Sequence, residues 1–395
     1  MVKIIFMNQC QNCAIAPEQK NNFVENLKIK FHTFIFILKF IPNWRVFWRF
    51  VKGYIKVNVF KKDQIRFVEI FVTLACNGRC SFCSNGKFSE KHGNLPLEKY
   101  LSLIDECAEL NVPAVCLIGG EPLLYPHLNK LVERISRRGM ISMIATNGYL
   151  LTEEKVKELA KCGLTNVTIS LHSMDEATHD SIIGLQGAYG RVFKAREYCE
   201  KYGVSFQLAS VVGHCDFTDG TFDRQIKFVQ EKKIRLSINP LIPTGYATAQ
   251  KENLLTFEDV KRLNTASVHS NYVSTHLTNN FFGFGCPAGN AYLGINTTGE
   301  IFPCFFIPVS LGSVNQITLR EAWQKACWSP LFKHKHKMCY AGVSREFIRN
   351  YMDPIFNFPH VPIPIETHPL YNQRISGLPD LEISDLEKAT ENKAE

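Results

Sequence analysis

The 395-residue sequence lacks any apolar run of the ~20 residues that a membrane-spanning helix needs. Its stretch FHTFIFILKFI is eleven residues long and is interrupted by Lys39. No N-terminal stretch combines a basic start, an apolar core of about 7–15 residues and a small-residue cleavage site. A cytoplasmic location is therefore expected, and stable disulfides are not. Acidic side chains are scarce in one region only. Residues 1–66 carry 12 Lys and Arg against Glu18, Glu25 and Asp63, a net +9, whereas the remaining 329 carry 33 basic and 34 acidic side chains, a net −1. A basic body built to bind nucleic acid is thereby excluded. The hydrophobic fraction of 45% and charged fraction of 21% are those of a globular protein. The length allows one large domain and a smaller one.

Cysteine is abundant, with 14 residues. Cys107, Cys116, Cys162, Cys199 and Cys215 sit singly in apolar or helical patterns and are expected to be small core residues. Cys10 and Cys13 form a CxxC without two further ligands, in what reads as an unstructured terminus. The cluster that stands out is CNGRCSFC, with Cys76, Cys80 and Cys83. Three chemistries use such a cluster: disulfide, zinc and iron–sulfur. A structural zinc site needs four ligands, and only His92 follows within twenty residues.

The central sequence alternates apolar runs of 5–8 residues with helical patterns of 10–15. FVEIFVTLAC, AVCLIGG, ISMIATNG, NVTISL, SFQLASVV and RLSINPLIP read as strands, and stretches such as LEKYLSLIDECAELN and TFEDVKRLNTA as helices. Six such pairs between Arg66 and about Ala266 predict βαβ units around a parallel sheet. Six are too few to close an eightfold barrel, so the expected fold is a partial (β/α)6 TIM-like barrel with a small C-terminal α+β module. Chemistry in such folds sits at the C-terminal ends of the strands, where the cysteine triplet begins. The expected division is 1–65 as a basic, aromatic-rich segment, 66–270 as the catalytic core, 271–358 as the C-terminal module and 359–395 as an extended tail.

CNGRCSFC resembles the CxxxCxxC signature of the radical S-adenosylmethionine (SAM) enzymes. That resemblance implies that Cys76, Cys80 and Cys83 hold three irons of a [4Fe–4S] cluster, one thiolate fewer than most cubane clusters have. The open iron would take the amino and carboxylate groups of SAM. Later strand ends extend the resemblance over roughly residues 66–266. GGEPLLYP, Gly119–Pro126, resembles the family's GGEP motif. It implies that Gly119 and Gly120 bring backbone close to the methionine moiety and that Glu121 accepts from its ammonium. ATNG ends the third strand, and ISLHS ends the fourth, where Ser170 resembles the ribose-binding residue. Arg191 is a candidate partner for the SAM carboxylate. NPLIPTGYA resembles the adenine-side segment, and Phe82 is a candidate adenine contact, with packing inside the loop as the alternative.

Farther on, CPAGNAYLGINTTGEIFPC places Cys286, Gly299 and Cys304 in the spacing Cx(9–15)Gx4C. This resembles the auxiliary-cluster modules called SPASM and twitch, with a hairpin turning at Thr298–Gly299. The helical stretch LREAWQKACW and then Cys339 continue the resemblance. The dense CxxCx5CxxxC run of a full SPASM domain is absent, which implies a single auxiliary [4Fe–4S] cluster held by Cys286, Cys304 and Cys339. Cys327 is expected in core packing, and His334 and His336 in solvent. Three structural thiols or a zinc are the alternative.

The implied activity is reductive cleavage of SAM, driven by a one-electron donor such as flavodoxin or ferredoxin, to a 5′-deoxyadenosyl radical that abstracts hydrogen from a substrate. That substrate is a lipid-like or other small molecule, or a peptide. Auxiliary clusters favour a peptide, and the want of an evident folded leader-binding domain before the barrel weighs against it. A zinc-stabilised binding protein is the alternative of another class. The segment NWRVFWRFVKGYIK reads as an amphipathic helix with Arg45, Arg49, Lys52 and Lys56 on one face and Trp44, Phe47, Trp48, Val51, Tyr54 and Ile55 beside them. Two readings stand for residues 23–57: peripheral attachment to a membrane, or packing of the aromatics across the open side of the barrel.

Overall fold

The computed structural model describes residues 44–85, 93–275, 286–329, 332, 338–358 and 361–368. The expectations for Cys10, Cys13, His92, His334, His336, the FHTFIFILKFI run and the tail beyond 368 lie outside the described residues.

Helix α1 (Trp44–Asn58) precedes the alternating series. The series runs β1 (Phe67–Thr73), α2 (Leu97–Glu109), β2 (Ala114–Gly119), α3 (Leu128–Arg137), β3 (Ile141–Thr146), α4 (Glu153–Lys161) and β4 (Asn166–Ser170). It continues with α5 (Glu176–Ile183), α6 (Ala188–Lys201), β5 (Ser205–Val212), α7 (His214–Thr218), α8 (Thr221–Lys232), β6 (Arg235–Pro240) and α9 (Phe257–His269). Several helices begin where the sequence supplies a side-chain cap. Thr152 accepts from Lys155 N at 3.2 Å to start α4, Asp175 accepts from Thr178 N at 2.8 Å to start α5, and Thr256 forms a capping box with Asp259 to start α9.

Strands β1–β6 pair in parallel and in chain order, as the alternation predicts. The sheet also extends past both expected edges. β7 (Val273–Thr275) adds in parallel to β6, so the sheet crosses the 270/271 division drawn from the sequence. On the other edge β8 (Tyr292–Ile295) lies parallel to β1 and turns into the antiparallel β9 (Glu300–Phe302) at the expected Thr298–Gly299 hairpin. Short β10 (Val309–Ser310) and β11 (Gly312–Ser313) follow, then α10 (Leu319–Trp328). The tail wraps back: β12 (Ile363–Pro364) pairs with β10, and His368 is bonded to the Tyr351 carbonyl at 2.7 Å.

One face of this sheet is close-packed and the other is not. Val68, Ile70 and Val72 of β1, Val115 and Leu117 of β2, Val167 and Ile169 of β4, and Leu236 and Ile238 of β6 are buried against the helices. Along β3, β4, β5 and β6 every second residue, on the opposite face, is only half-buried or exposed. Parallel sheets ordinarily bury both faces. The half-covered inner face is therefore a trough, with Met143, Ala145, Thr168, Ser170, Gln207, Ser237 and Asn239 along it.

Helix α1 departs from the reading in which its aromatics pack across the open side of the barrel: Trp44, Trp48, Tyr54 and Ile55 are exposed. Arg49 and Lys56 are half-buried against the protein and Arg45 and Lys52 are exposed, while Phe47 and Phe50 are half-buried. The Arg49 guanidinium donates to three backbone carbonyls, Ala108 at 2.7 Å, Arg138 at 2.8 Å and Gly139 at 2.9 Å, and Arg45 donates to the Arg137 carbonyl at 3.0 Å. These carbonyls close the C-terminal ends of α2 and α3, where unpaired C=O groups and the helix dipole favour a cation. Val46 completes the contact, with no exposed surface. Arg49→Ala removes three charge-assisted bonds worth about 1.5–3 kcal/mol each before relaxation. It is expected to raise amide exchange across α1 at least tenfold while leaving exchange in β2–β4 unchanged.

Candidate active site

The chain leaves β1 at Thr73 and enters the cysteine loop, which backbone contacts hold on three sides. Arg79 N and Ser81 N donate to the Ile183 and Ile182 carbonyls at the end of α5, at 2.8 and 3.2 Å. Tyr246 N donates to the Cys83 carbonyl at 3.0 Å, and Gln250 Nε2 to the Ser81 carbonyl at 3.0 Å. Gly120 N and Glu121 N donate to the Thr73 and Ala75 carbonyls, both at 2.8 Å. The glycines are demanded by proximity. A Cβ on Gly119 or Gly120 would fall 2.3 Å from the Thr73 carbonyl oxygen or 2.4 Å from that of Ala75. One on Gly245 would fall 2.3 Å from both the Cys83 and Ser84 carbonyl oxygens. The GGEP and NPLIPTGYA segments therefore clamp the cysteine loop directly.

Glu121 is fully buried. Its Oε1 accepts from Thr146 Oγ1 at 2.7 Å and from Leu123 N at 3.1 Å, and its Oε2 accepts from Asn147 N at 3.0 Å. Burial raises its pKa, and these three donors act against that rise. Asn147 in turn donates to Asn77 Oδ1 at 2.9 Å, joining the third strand end to the cysteine loop.

Cys76, Cys80 and Cys83 are close enough to act on one another electrostatically. Burial first, then the neighbouring thiols, push Cys80 up to about 12; Cys76 is raised by burial and also by Glu121 and Cys83. The same relation holds in the C-terminal module. Burial raises Cys304, Cys339 and Cys286, with Cys286 and Cys339 acting on Cys304 and Cys286 acting on Cys339, which stands at about 12. Cys327 points elsewhere: its Sγ is 3.9 Å from the Gly289 carbonyl, and it acts on Lys56. Among the described residues no His, Cys, Asp and Glu group is drawn tightly enough to cage a single ion. Each triad is instead a set of thiols that resist ionising together until a cation is bound among them. That chemistry fits an iron–sulfur cluster, whose thiolates bind separate irons.

Of the isolated cysteines, Cys107, Cys116 and Cys199 are buried as expected and Cys162 is half-buried. Cys215 departs from expectation. It is exposed at the start of α7, with its N–H held by Asn253 Oδ1 at 2.8 Å.

Phe82 is half-buried against the His172 ring, with centroids 4.7 Å apart. Ser170 stands on the trough face of β4. Arg191 is exposed and lies over the Tyr149 ring, 5.6 Å from its centroid, beside the third strand's loop. Two histidines had no signal in the sequence beyond lying just past the fourth strand. His172 Nδ1 accepts from Val211 N at 3.2 Å, and His179 Nδ1 accepts from His172 N at 3.2 Å. Each neutral ring therefore carries its proton on Nε2. His179 Nε2 is buried without a partner, as are Asn77 Nδ2, Asn239 Oδ1 and Thr244 Oγ1. All four belong to segments at the C-terminal ends of the strands. A buried polar atom left unpaired costs about 1–3 kcal/mol, and these four, of eleven among the described residues, lie where a polar ligand at the strand ends would pair with them.

A partial parallel barrel with a clamped cysteine loop at its strand ends defines the class: an enzyme that carries an iron–sulfur cluster and a small cofactor over an open trough. Residues 70–229 match the Radical SAM superfamily, and residues 286–341 match SPASM, an iron–sulfur cluster-binding domain. The chain belongs to the radical SAM superfamily, with SAM and a [4Fe–4S] cluster as cofactors and a SPASM-type module for auxiliary iron–sulfur. It is 26% identical over 296 residues to an AdoMet-dependent heme synthase of Methanosarcina barkeri, covering 66% of this chain and 82% of that one. A PqqA peptide cyclase of Granulibacter bethesdensis is 26% identical over 273 residues, covering 65% and 72%. Streptococcus suis SuiB bound to precursor peptide SuiA shares the fold, with a TM-score of 0.56 at 18% identity over 82% of this chain and 75% of that one. No helix among the described residues is long and apolar enough to cross a membrane.

Gly245→Ala, at a positive φ of 57°, is expected to push the cysteine loop outward. Iron per chain after anaerobic purification should fall by about one cubane's content of four, and an unchanged content would show that the clamp is dispensable. A second expectation concerns pH. Burial, followed for His172 by the His179 ring, lowers His172 to about 3 and His179 to about 4. Their contribution to stability is thus complete above an ordinary value near 6.5 and is lost as pH falls toward 4 and 3. Each adds up to ~1.4 kcal/mol per pH unit to the decline in unfolding free energy. In denaturant titrations at pH 7, 6 and 5, His172→Gln/His179→Gln should show a flatter decline than the wild type.

Proposed function

We propose that Cys76, Cys80 and Cys83 hold the SAM-binding cluster and that the trough beside it takes a peptide segment, from which a hydrogen atom is removed. The observation that carries this reading is the set of unpaired buried polar atoms at the strand ends, lying next to a trough of neutral hydrogen-bonding side chains. When bound and reduced by a donor such as flavodoxin or ferredoxin, the cluster and SAM supply the one-electron chemistry that makes an unactivated C–H bond reactive. The protein's own residues position and shield. Gly119 and Gly120 keep backbone close to the cofactor. Glu121 fixes the strand ends and keeps one lone-pair direction for the SAM ammonium. Ser170 on the trough face of β4 would hold the ribose, Phe82 beside His172 the adenine, and Arg191 over the Tyr149 ring the carboxylate. Residues 66–270 carry this site, and 271–358 carry one auxiliary cluster on Cys286, Cys304 and Cys339.

A peptide suits the trough better than a lipid. Thr168, Ser170, Gln207, Ser237 and Asn239 line β4–β6, whereas Phe71, Met143 and Ala145 line β1–β3. Ala209 and Val211 of β5 share that face, and Gln207 already donates to Thr168 at 2.8 Å, but hydrocarbon laid there would still cover Ser170, Ser237 and Asn239, whose polar groups peptide amides would pair with. One of the named relatives is a peptide cyclase by name, and the SuiB structure, which shares the fold, holds a precursor peptide.

Reconstituted protein with dithionite is expected to convert SAM to 5′-deoxyadenosine, and Cys76→Ala, Cys80→Ala or Cys83→Ala to reduce this below detection. Turnover in all three variants would overturn the cluster assignment. With the three first-site cysteines replaced, about four irons should remain, and adding Cys286→Ser and Cys304→Ser should remove them. A SAM-dependent mass change in a peptide supports the substrate reading; turnover stimulated by a lipid or a tetrapyrrole but by no peptide overturns it.

A further inference from the structure

The feature that this chemistry does not use is the outer surface of α1. We propose that it is a docking surface for an anionic phospholipid bilayer, with a lipid phosphate seated in the basic cavity beside it. The inference goes beyond the catalytic reading and does not rest on it.

The cavity measures about 590 Å³ and lies between α1, the ends of α2 and α3, and Arg320 of α10. Arg45, Arg49, Lys52, Lys56, Arg138 and Arg320 line it, and the one carboxylate on its wall, Glu109, is 3.9 Å from Arg138. Arg45 and Arg49 reach the carbonyls described above. The Lys56 ammonium lies over the Trp323 ring, 5.2 Å from its centroid. Burial, then Arg320 and Lys62, lower its pKa, with Asp63 acting the other way. So many cations around one hollow repel each other, and a bound phosphate would reverse that repulsion through charge-assisted hydrogen bonds.

Immediately outside the cavity runs an apolar stripe. Trp44 and Trp48 line the cavity mouth and are 69% and 50% exposed, and Ile55 and Val59 continue the stripe at +11 and +15 from Trp44. Phe60, 64% exposed, extends it past the helix end. The stripe crowns a convex helix that the body holds from below through Arg49, so it offers no groove for the side chains of a protein partner. Tryptophan beside lysine and arginine on a surface helix matches the boundary of a bilayer, where indole sits at headgroup level and basic groups meet anionic lipid. Charge complementarity and the aromatic stripe thus point to one occupant.

Full-length protein should co-sediment with vesicles of phosphatidylcholine and phosphatidylserine but not with phosphatidylcholine alone, and added salt should weaken the binding. Trp44→Ser/Trp48→Ser and Lys52→Glu/Arg320→Glu change exposed or cavity residues and should remain folded by circular dichroism. Each should lower partitioning by about tenfold while leaving 5′-deoxyadenosine formation unchanged. The proposal is overturned if the folded wild type ignores both vesicles, binds both equally, or binds an acidic peptide instead. It is also overturned if both double variants bind as the wild type does. Loss of 5′-deoxyadenosine formation in the wild type would strike the catalytic reading alone.

Discussion

A carboxylate withdrawn from water costs several kcal/mol unless its oxygens find donors, and the site is organised around one that does. Glu121 leaves no atom to solvent, yet it accepts from Thr146, Leu123 and Asn147. Those donors belong to the end of β3 and the turn after β2. Through Asn147 and Asn77 the network reaches the cysteine loop, and Glu121 N itself holds the Ala75 carbonyl. Three chain segments far apart in sequence are fixed by one side chain. The adjacent glycines follow from this. Once the β2 end is held that close to the β1 end, no Cβ fits at Gly119 or Gly120. Backbone packing and a buried acid are two consequences of the same approach.

The two thiol triads are linked by the floor of the trough. Tyr292 of β8 donates to the half-buried Glu69 of β1, and Phe305, next to Cys304, packs edge-on against Phe71 with centroids 4.3 Å apart. Gly294 is required beneath it, because a Cβ there would fall 2.5 Å from the Phe305 ring. The auxiliary module therefore continues the barrel sheet through β8 and shares its packing. This explains why a boundary at 270/271 has no counterpart in the sheet.

The parts of the fold legible in the sequence were those set by long-range periodicity. Six strands and their helices appear where alternating apolar runs place them, and the Thr298–Gly299 hairpin turns where a positive φ of 91° needs glycine. The pairings of β7 and β8 were not legible. Strands of three and four residues carry too little pattern, and nothing local announces that Tyr292–Ile295 will lie beside Phe67–Ile70. The cysteines were visible as a motif, but His172 and His179 were not. Their roles depend on hydrogen bonds from Val211 N to His172 and from His172 N to His179. For α1 the amphipathic pattern identified the helix but not what Arg49 would bind. A basic face is normally the solvent face, but here its targets are carbonyls at the ends of α2 and α3, and such acceptors have no sequence signature.

The position of those carbonyls also separates two ideas that the sequence had joined. Ala108 and Gly139 precede β2 and β3, so α1 sits at the N-terminal ends of the strands. The cysteine loop, Glu121 and the unpaired atoms of Asn77, His179, Asn239 and Thr244 lie at the C-terminal ends. A strand of six residues spans about 20 Å, and that length separates the aromatic stripe from the mouth of the trough. A bilayer met by α1 would face the closed end of the barrel and leave the catalytic mouth toward the aqueous phase. Membrane attachment and the nature of the substrate are thus independent questions: a bilayer bound at α1 would not by itself bring lipid to the trough.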